Sequence, residues 1–212
     1  MIDSVADTTT NADIAVYIDD DQIKDYQAVR GKYRVFSGMR LWPCKSLNLM
    51  VREMPGYAAY GAATDDSEFV SIGWDRWILS HNFPGGLGAF CPQTIGGYTK
   101  RMDFPWVSGK WAEMFGLVPL DAMQFYWDVA VQLVAEETCI VYGTESNFGI
   151  KHDEMFPSPE DRDPNDKSKE PVTDYGRRVL YVYADAKETC KWIALERQAM
   201  VQKIKDAIKE AV

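Results

Sequence analysis

Histidine is almost missing from the sequence: His81 and His152 are the only two in 212 residues. Neither lies in an HExxH or HxH arrangement, so chemistry that needs clustered imidazoles around zinc is excluded. The four cysteines, Cys44, Cys91, Cys139 and Cys190, are widely spaced with no CxxC pair. That removes a zinc ribbon and a dithiol redox centre. An even number of cysteines permits two disulfides in a secreted protein. A chain of this length can close its own core, however, and no basic segment leading into an apolar one opens it. Free thiols and a cytoplasmic setting are therefore expected.

Long apolar runs are also missing. The longest, about Val129 to Val134, is interrupted by Gln132 and falls far short of the roughly 20 residues that span a bilayer, so no membrane partner is expected. No GxGxxG, GxxxxGK[ST] or GxSxG occurs. Gly85-Gly86-Leu87-Gly88 lacks the strand-to-helix setting of a phosphate cradle, and a P-loop nucleotide site and a serine-hydrolase elbow are set aside. Nothing implies a cofactor or a bound metal.

Acidic side chains are plentiful: 32 Asp and Glu against 23 Lys and Arg give a formal charge of −9. This balance repels nucleic-acid phosphates and anionic lipid at long range, and direct nucleic-acid binding is not expected. The pairs Lys100-Arg101 and Arg177-Arg178 are the candidates for a local exception, and they read more simply as solvated strand ends. Hydrophobic residues make up 46% and aromatics 13% of the chain, spread along its length as in a globular protein.

Along the chain, residues 1–13 are rich in Thr, Asp and Ala without apolar periodicity and are expected to form a disordered tail. One α+β domain over 14–212 follows. Ile14 to Ile18 predicts a strand ended by Asp19, Asp20 and Asp21, and Tyr33 to Trp42 a second, interrupted at Gly38. Leu47, Leu49 and Val51 alternate with Asn48, Met50 and Arg52, which predicts a half-buried strand. Phe69 to Trp74 and Cys139 to Tyr142 predict further strands. Ser80 to Gly97 carries so many Gly and Pro residues that a long ordered loop is expected there. Asp121 and Gln124 predict a helix start, with a buried helix over Ala122 to Glu137 that is apolar on nearly every face. Residues 152–171 hold seven carboxylates and four prolines, the composition of a mobile acidic loop. Arg177 to Tyr183 resumes as a strand, and Asp185 opens a long C-terminal helix with Ile193, Met200, Ile204 and Ile208 on one face. The architecture predicted is α+β, with a mainly antiparallel sheet, one buried central helix and a long C-terminal helix.

Three functional readings compete. The first is a non-enzymatic acidic protein that binds a protein partner with a basic surface, as an inhibitor of a nucleic-acid-handling protein of the phage or mobile-element type would. Asp19, Asp20, Asp21, Asp153, Glu154, Glu160, Asp161 and Asp163 would take the places of phosphates, and Trp74, Trp77 and Trp106 would anchor the interface. Exposed, these tryptophans with Tyr57, Tyr60 and Tyr98 would equally stack on sugars or bases; buried, they are simply core. The second is a cysteine-dependent hydrolase or transferase with Cys91 as nucleophile, His81 as its base and loop amides as an oxyanion hole. Set against it, a cysteine between Phe90 and Pro92 is an ordinary packed thiol. The third is a structural subunit of an assembly such as a virion, docked through the C-terminal helix.

Overall fold

The computed structural model describes residues 2–9, 11–24, 26, 32–41, 43–63, 67–95, 102–119, 127–152 and 195–211. The acidic segment 153–171, the strand expected at Arg177 to Tyr183 and the helix start at Asp121 lie outside these residues.

The chain is α+β, with sheets that are mixed and not mainly antiparallel. β1 (Ala15–Asp19) and β2 (Arg34–Gly38) form a parallel pair. A four-stranded sheet runs in the order β3 (Ala59–Gly61), β7 (Trp106–Ser108), β5 (Ala89–Cys91), β8 (Ile140–Tyr142). Here β7 is antiparallel to both β3 and β5, while β8 is parallel to β5. A three-stranded sheet runs β4 (Ser67–Phe69), β9 (Gly149–His152), β6 (Gln93–Ile95), again one antiparallel and one parallel pairing. The segment expected to be one long loop, Ser80 to Gly97, therefore supplies two strands, and β5 is fully buried. A three-residue strand is too short to show a period of two, which is why glycine and proline dominate the sequence pattern there.

The N-terminal residues are not a frayed tail. Ile2–Thr8 form helix α1, in which Val5 and Thr8 are buried. Nor is Leu47 to Val51 a strand, since Pro43–Glu53 form helix α2. Proline suits the first helical turn, where its missing N–H has no partner to lose. Cys44, Asn48, Val51 and Met54 recur at helical spacing and are buried. Asn48 is the residue that misleads: its Oδ1 accepts from Leu117 N and Val118 N at 2.9 and 3.2 Å, and its Nδ2 donates to Val118 O at 3.0 Å. A buried amide satisfied on both sides acts as core, though a polarity pattern counts it as surface.

After β4 the chain turns through Gly73 into α3 (Trp74–Leu79), where a continuing strand was expected. A 3-10 turn, Pro84–Gly86, precedes β5. α4 (Gly109–Phe115) is N-capped by Ser108, whose hydroxyl accepts from Trp111 N. α5 (Trp127–Glu136) is not apolar in its surroundings on all sides. Ala130, Val131, Val134 and Ala135 are buried against the four-stranded sheet, Val129 and Leu133 are half-buried, and Glu136 is exposed. The short helix α6 (Glu145–Phe148) carries a capping box between Thr144 and Asn147. The C-terminal helix α7 (Arg197–Glu210) does not project: Val201 and Ile204 are buried, and it packs on α5 and on the 3-10 turn.

Two apolar cores result. One gathers α2, α4, α5, α7 and one face of β5 around Leu87, Cys91, Trp111 and Val134. The other is aromatic, with Phe69, Trp74, Phe90, Trp106 and Phe148. Trp74 and Trp106 meet edge to face at 5.1 Å, and Trp74 stacks on Phe148 at 5.7 Å with 18° between planes. The Trp106 ring covers Gly61, where an added Cβ would lie 1.9 Å from Cδ2. We predict that Gly61→Ala displaces Trp106 and costs at least about 1 to 3 kcal/mol, the usual penalty for overpacking. Urea unfolding should show the midpoint fall with an unchanged slope.

Candidate functional site

A cleft of about 740 Å³ opens between β1 and α2 on one side and the aromatic core on the other. Its far wall is built by the N-terminal segment, which contributes Asp3, Val5, Asn11 and Asp13, and by Trp74, Asp75 and Trp106. Met50 and Val51 from α2, Met54 just after it and Ala59 to Ala63 around β3 line it as well, and Tyr17, Tyr26, Tyr57 and Tyr60 bring four phenol rings. The lining includes the carboxylates Asp3, Asp13, Asp19 and Asp75, and among the described residues no lysine, arginine or histidine.

Each carboxylate is held differently. Asp75 is buried, and its Oδ2 accepts from the backbone N–H and side-chain Nδ2 of Asn11 at 3.1 and 2.9 Å. Asp13 Oδ2 accepts from the Tyr57 hydroxyl at 2.6 Å. That hydrogen bond, helped by burial and by the Asp13 charge, raises the Tyr57 phenol pKa above its ordinary value. Tyr57 N in turn donates to the Tyr60 hydroxyl at 3.3 Å, and the two rings stand edge to face 5.7 Å apart. Tyr60 donates to Met54 O at 2.6 Å, which ties this ring pair to the end of α2. At the rim, Lys32 pairs with Asp3 at 3.2 Å and Arg40 with Asp19 at 3.6 Å.

The acidic candidates divide accordingly. Asp19 is half-buried on the cleft and faces Arg40, whereas Asp20 and Asp21 are exposed in the turn after β1. Asp153, Glu154, Glu160, Asp161 and Asp163 lie outside the described residues. The tryptophans expected at an interface are placed inside. Trp74 is 3% and Trp106 9% exposed, and Trp77 is partly buried against Phe90 and Phe148. They are core because they satisfy one another's faces and edges, and the Trp74 indole N–H donates to Thr8 Oγ1 at 3.0 Å. Tyr57 and Tyr60 line the cleft instead. Asn11, Asp13 and Asp75 were missed: no local pattern distinguishes them, and two of them sit in a segment with no apolar period.

Cys91 and His81 are not brought together. Neighbouring strand residues point to opposite faces. Phe90 faces the aromatic core and touches His81 at 6.1 Å between rings, while Cys91 faces the other core. His81 Nδ1 is 2.7 Å from Trp77 O, and no pairing with a thiol is made. Cys91 is 1% exposed. Burial, with the charges of Asp103 and Glu136, pushes its pKa up to about 12 from the ordinary 9.0. A thiol held neutral is the opposite of an activated nucleophile. Among the described residues no group of histidine, cysteine and carboxylate side chains is arranged to hold a metal ion, and no helix is long and apolar enough to cross a membrane. In comparisons with known proteins, no family model, curated protein or solved structure matches the chain.

A folded-state pKa above the unfolded one makes stability fully present below the unfolded value and lost as pH rises towards the folded value. Cys91 should therefore contribute a loss of stability between pH 9 and about 12. Urea denaturation across that range should show Cys91→Ala with a shallower decline than the wild type. Iodoacetamide at neutral pH should modify Cys91 in the native state no faster than the protein unfolds.

Proposed function

We propose that the chain is a binding protein whose site is the cleft between β1, α2 and the aromatic core, and that its ligand is a small, uncharged, hydroxyl-rich molecule with a flat face, such as a saccharide or a nucleoside. The observation that carries this reading is the chemistry of the lining: tyrosine rings beside carboxylates, with no basic side chain among the described residues. Carboxylates are strong acceptors for hydroxyl groups, and phenol rings offer faces on which sugars and bases stack. An unaccompanied anion entering the cleft would meet Asp13 and Asp75 with no basic side chain in the described lining to offset them. The volume of about 740 Å³ falls within the range of roughly 300 to 1,000 Å³ typical of small-ligand sites.

Titration calorimetry with a panel of neutral nucleosides, monosaccharides and disaccharides tests it. One chemical class should bind, and Asp13→Asn and Tyr57→Phe should each weaken that binding about tenfold, as expected for a hydrogen bond to a charged group. Thermal midpoints should move by only a few degrees, because Asp13 and the Tyr57 hydroxyl lie at the exposed edge of the cleft. Binding by none of the panel, or by both variants as well as the wild type, would sink the reading.

A second reading keeps the protein partner with a basic surface, and Asp20 and Asp21 favour it. They are exposed in the turn between the cleft residues Asp19 and Gln22, in a chain of formal charge −9. Such a partner would be steered by charge, so its association would slow steeply with salt, whereas a neutral ligand in the cleft would be nearly indifferent to it.

A further inference from the structure

The segment from α1 to Asp13 is joined to the rest of the chain in an unusual way. Among its described side chains up to Thr8, Val5 is the one apolar group that is buried. A seven-residue helix has little stability of its own. Val5 and Ala12 lie on the aromatic core, and the rest of the fastening is polar: Asp3 pairs with Lys32 and Asp13 accepts from Tyr57, while the other contacts go in a row to the stretch Phe69 to Asp75. Phe69 N donates to Ser4 Oγ at 3.0 Å, Gly73 N to Thr8 O at 2.7 Å, and Trp74 Nε1 to Thr8 Oγ1 at 3.0 Å. Asn11 closes the row with its two donations to Asp75 Oδ2. The same segment supplies Asp3, Val5, Asn11 and Asp13 to one wall of the cleft.

We propose that this N-terminal segment is a strap over the cleft, latched by Asn11 on Asp75, which opens to admit the ligand and closes on it. The proposal rests on reading the cleft as the ligand site. A segment fastened largely by hydrogen bonds, with Val5 and Ala12 its contacts to the apolar core among the described side chains, is the kind that opens locally below the free energy of global unfolding, because water replaces each bond as it breaks. The aromatic core beneath it, with Trp74 and Trp106 packed edge to face, has no such substitute and stays in place. A ligand touching Asn11 or Asp13 contacts the strap only when it is closed, so it shifts the population towards closure by that difference in affinity.

Hydrogen exchange on the full chain without ligand tests the latch. Asn11→Ala should speed exchange at the Phe69 and Gly73 amides about tenfold, the effect expected for losing hydrogen bonds to a carboxylate. The Ala89 amide, bonded to Cys139 O within the four-stranded sheet, should be unchanged. Ser4→Ala, which cuts a different fastening, should speed Gly73 in the same direction. The neutral dye Nile red, which reports access to the apolar lining, should associate several-fold faster with both variants than with the wild type. Unchanged exchange at Gly73, an equal increase at Ala89, or unchanged dye association would each overturn the strap. None of these measurements uses a saccharide or a nucleoside, so failure of the ligand class leaves them standing. Where a panel member does bind, saturating it should slow Gly73 exchange in the wild type; faster or unchanged exchange would overturn closure on the ligand.

Discussion

The seat of Trp106 on Gly61 is the constraint from which the rest of the structure follows. With no Cβ at position 61, the indole lies directly on the β3 backbone, and β3 still pairs with β7 through Gly61 and Trp106. The other face and edges of that ring meet Phe69, Trp74 and Phe148 at 5.1 to 6.0 Å. These three residues come from β4, α3 and α6, so a single side chain fixes the four-stranded sheet against the three-stranded one. Aromatic contacts of this kind are directional and not merely greasy. The position of α3 is thereby set, and with it the line of donors at Gly73 and Trp74 and the carboxylate of Asp75 that receive the N-terminal segment. The cleft exists because α2 and β1 stand off from this cluster instead of packing into it.

How far the sequence reveals the fold depends on the kind of signal each element carries. The α+β class, β1, β2 and β8 can be read from clusters of β-branched and aromatic residues, and the buried face of α7 from its 3.6 period. α2 cannot be read in the same way because two periods are superimposed. Leu47, Leu49 and Val51 alternate, while Cys44, Asn48, Val51 and Met54 fall on one helical face. Only the buried role of the Asn48 amide decides between them, and that role depends on Leu117 and Val118, some seventy residues away. α1 fails for a related reason: its order comes from Ser4 and Thr8 hydroxyls and a backbone carbonyl, which a hydropathy pattern counts as solvent-loving. The central strand β5 hides in a Gly-rich stretch because glycine there makes room, as at Gly88, where the Phe83 ring occupies the place of a Cβ.

The site is less legible than the fold. Asp19, Tyr57 and Tyr60 draw attention as residue types, and all three line the cleft. Asn11, Asp13 and Asp75 do not, since their meaning lies in contacts across more than forty residues. Cys91 and His81 show the reverse error. Ten positions apart in a glycine-rich stretch, they suggest a dyad, yet β5 sends Cys91 to one face and Phe90, against which His81 lies, to the other. Tryptophan likewise reads as an interface residue by type, while packing among its own kind makes it core.

The partners chosen for the carboxylates determine what the cleft can hold. Asp75 and Asp13, deep in the wall and on its edge, are met by an amide and a phenol, which donate hydrogen bonds without cancelling charge. The two ion pairs, Lys32 with Asp3 and Arg40 with Asp19, stand at the exposed rim, where solvent screening leaves them little energy. The described lining carries carboxylates and no basic side chain, the reverse of a site that recognises phosphate with basic side chains. A carboxylate offers about four acceptor positions, and Tyr57 takes one of those on Asp13. What remains is directional acceptor capacity beside tyrosine rings. A ligand that brings several hydroxyl or amino hydrogens on a rigid flat frame uses that capacity without the desolvation cost of bringing a charge. On the proposed reading, the fastening of Asn11 and Asp13 by hydrogen bonds and not by apolar packing leaves these groups able to exchange one polar partner for another, which is what a ligand-facing wall requires.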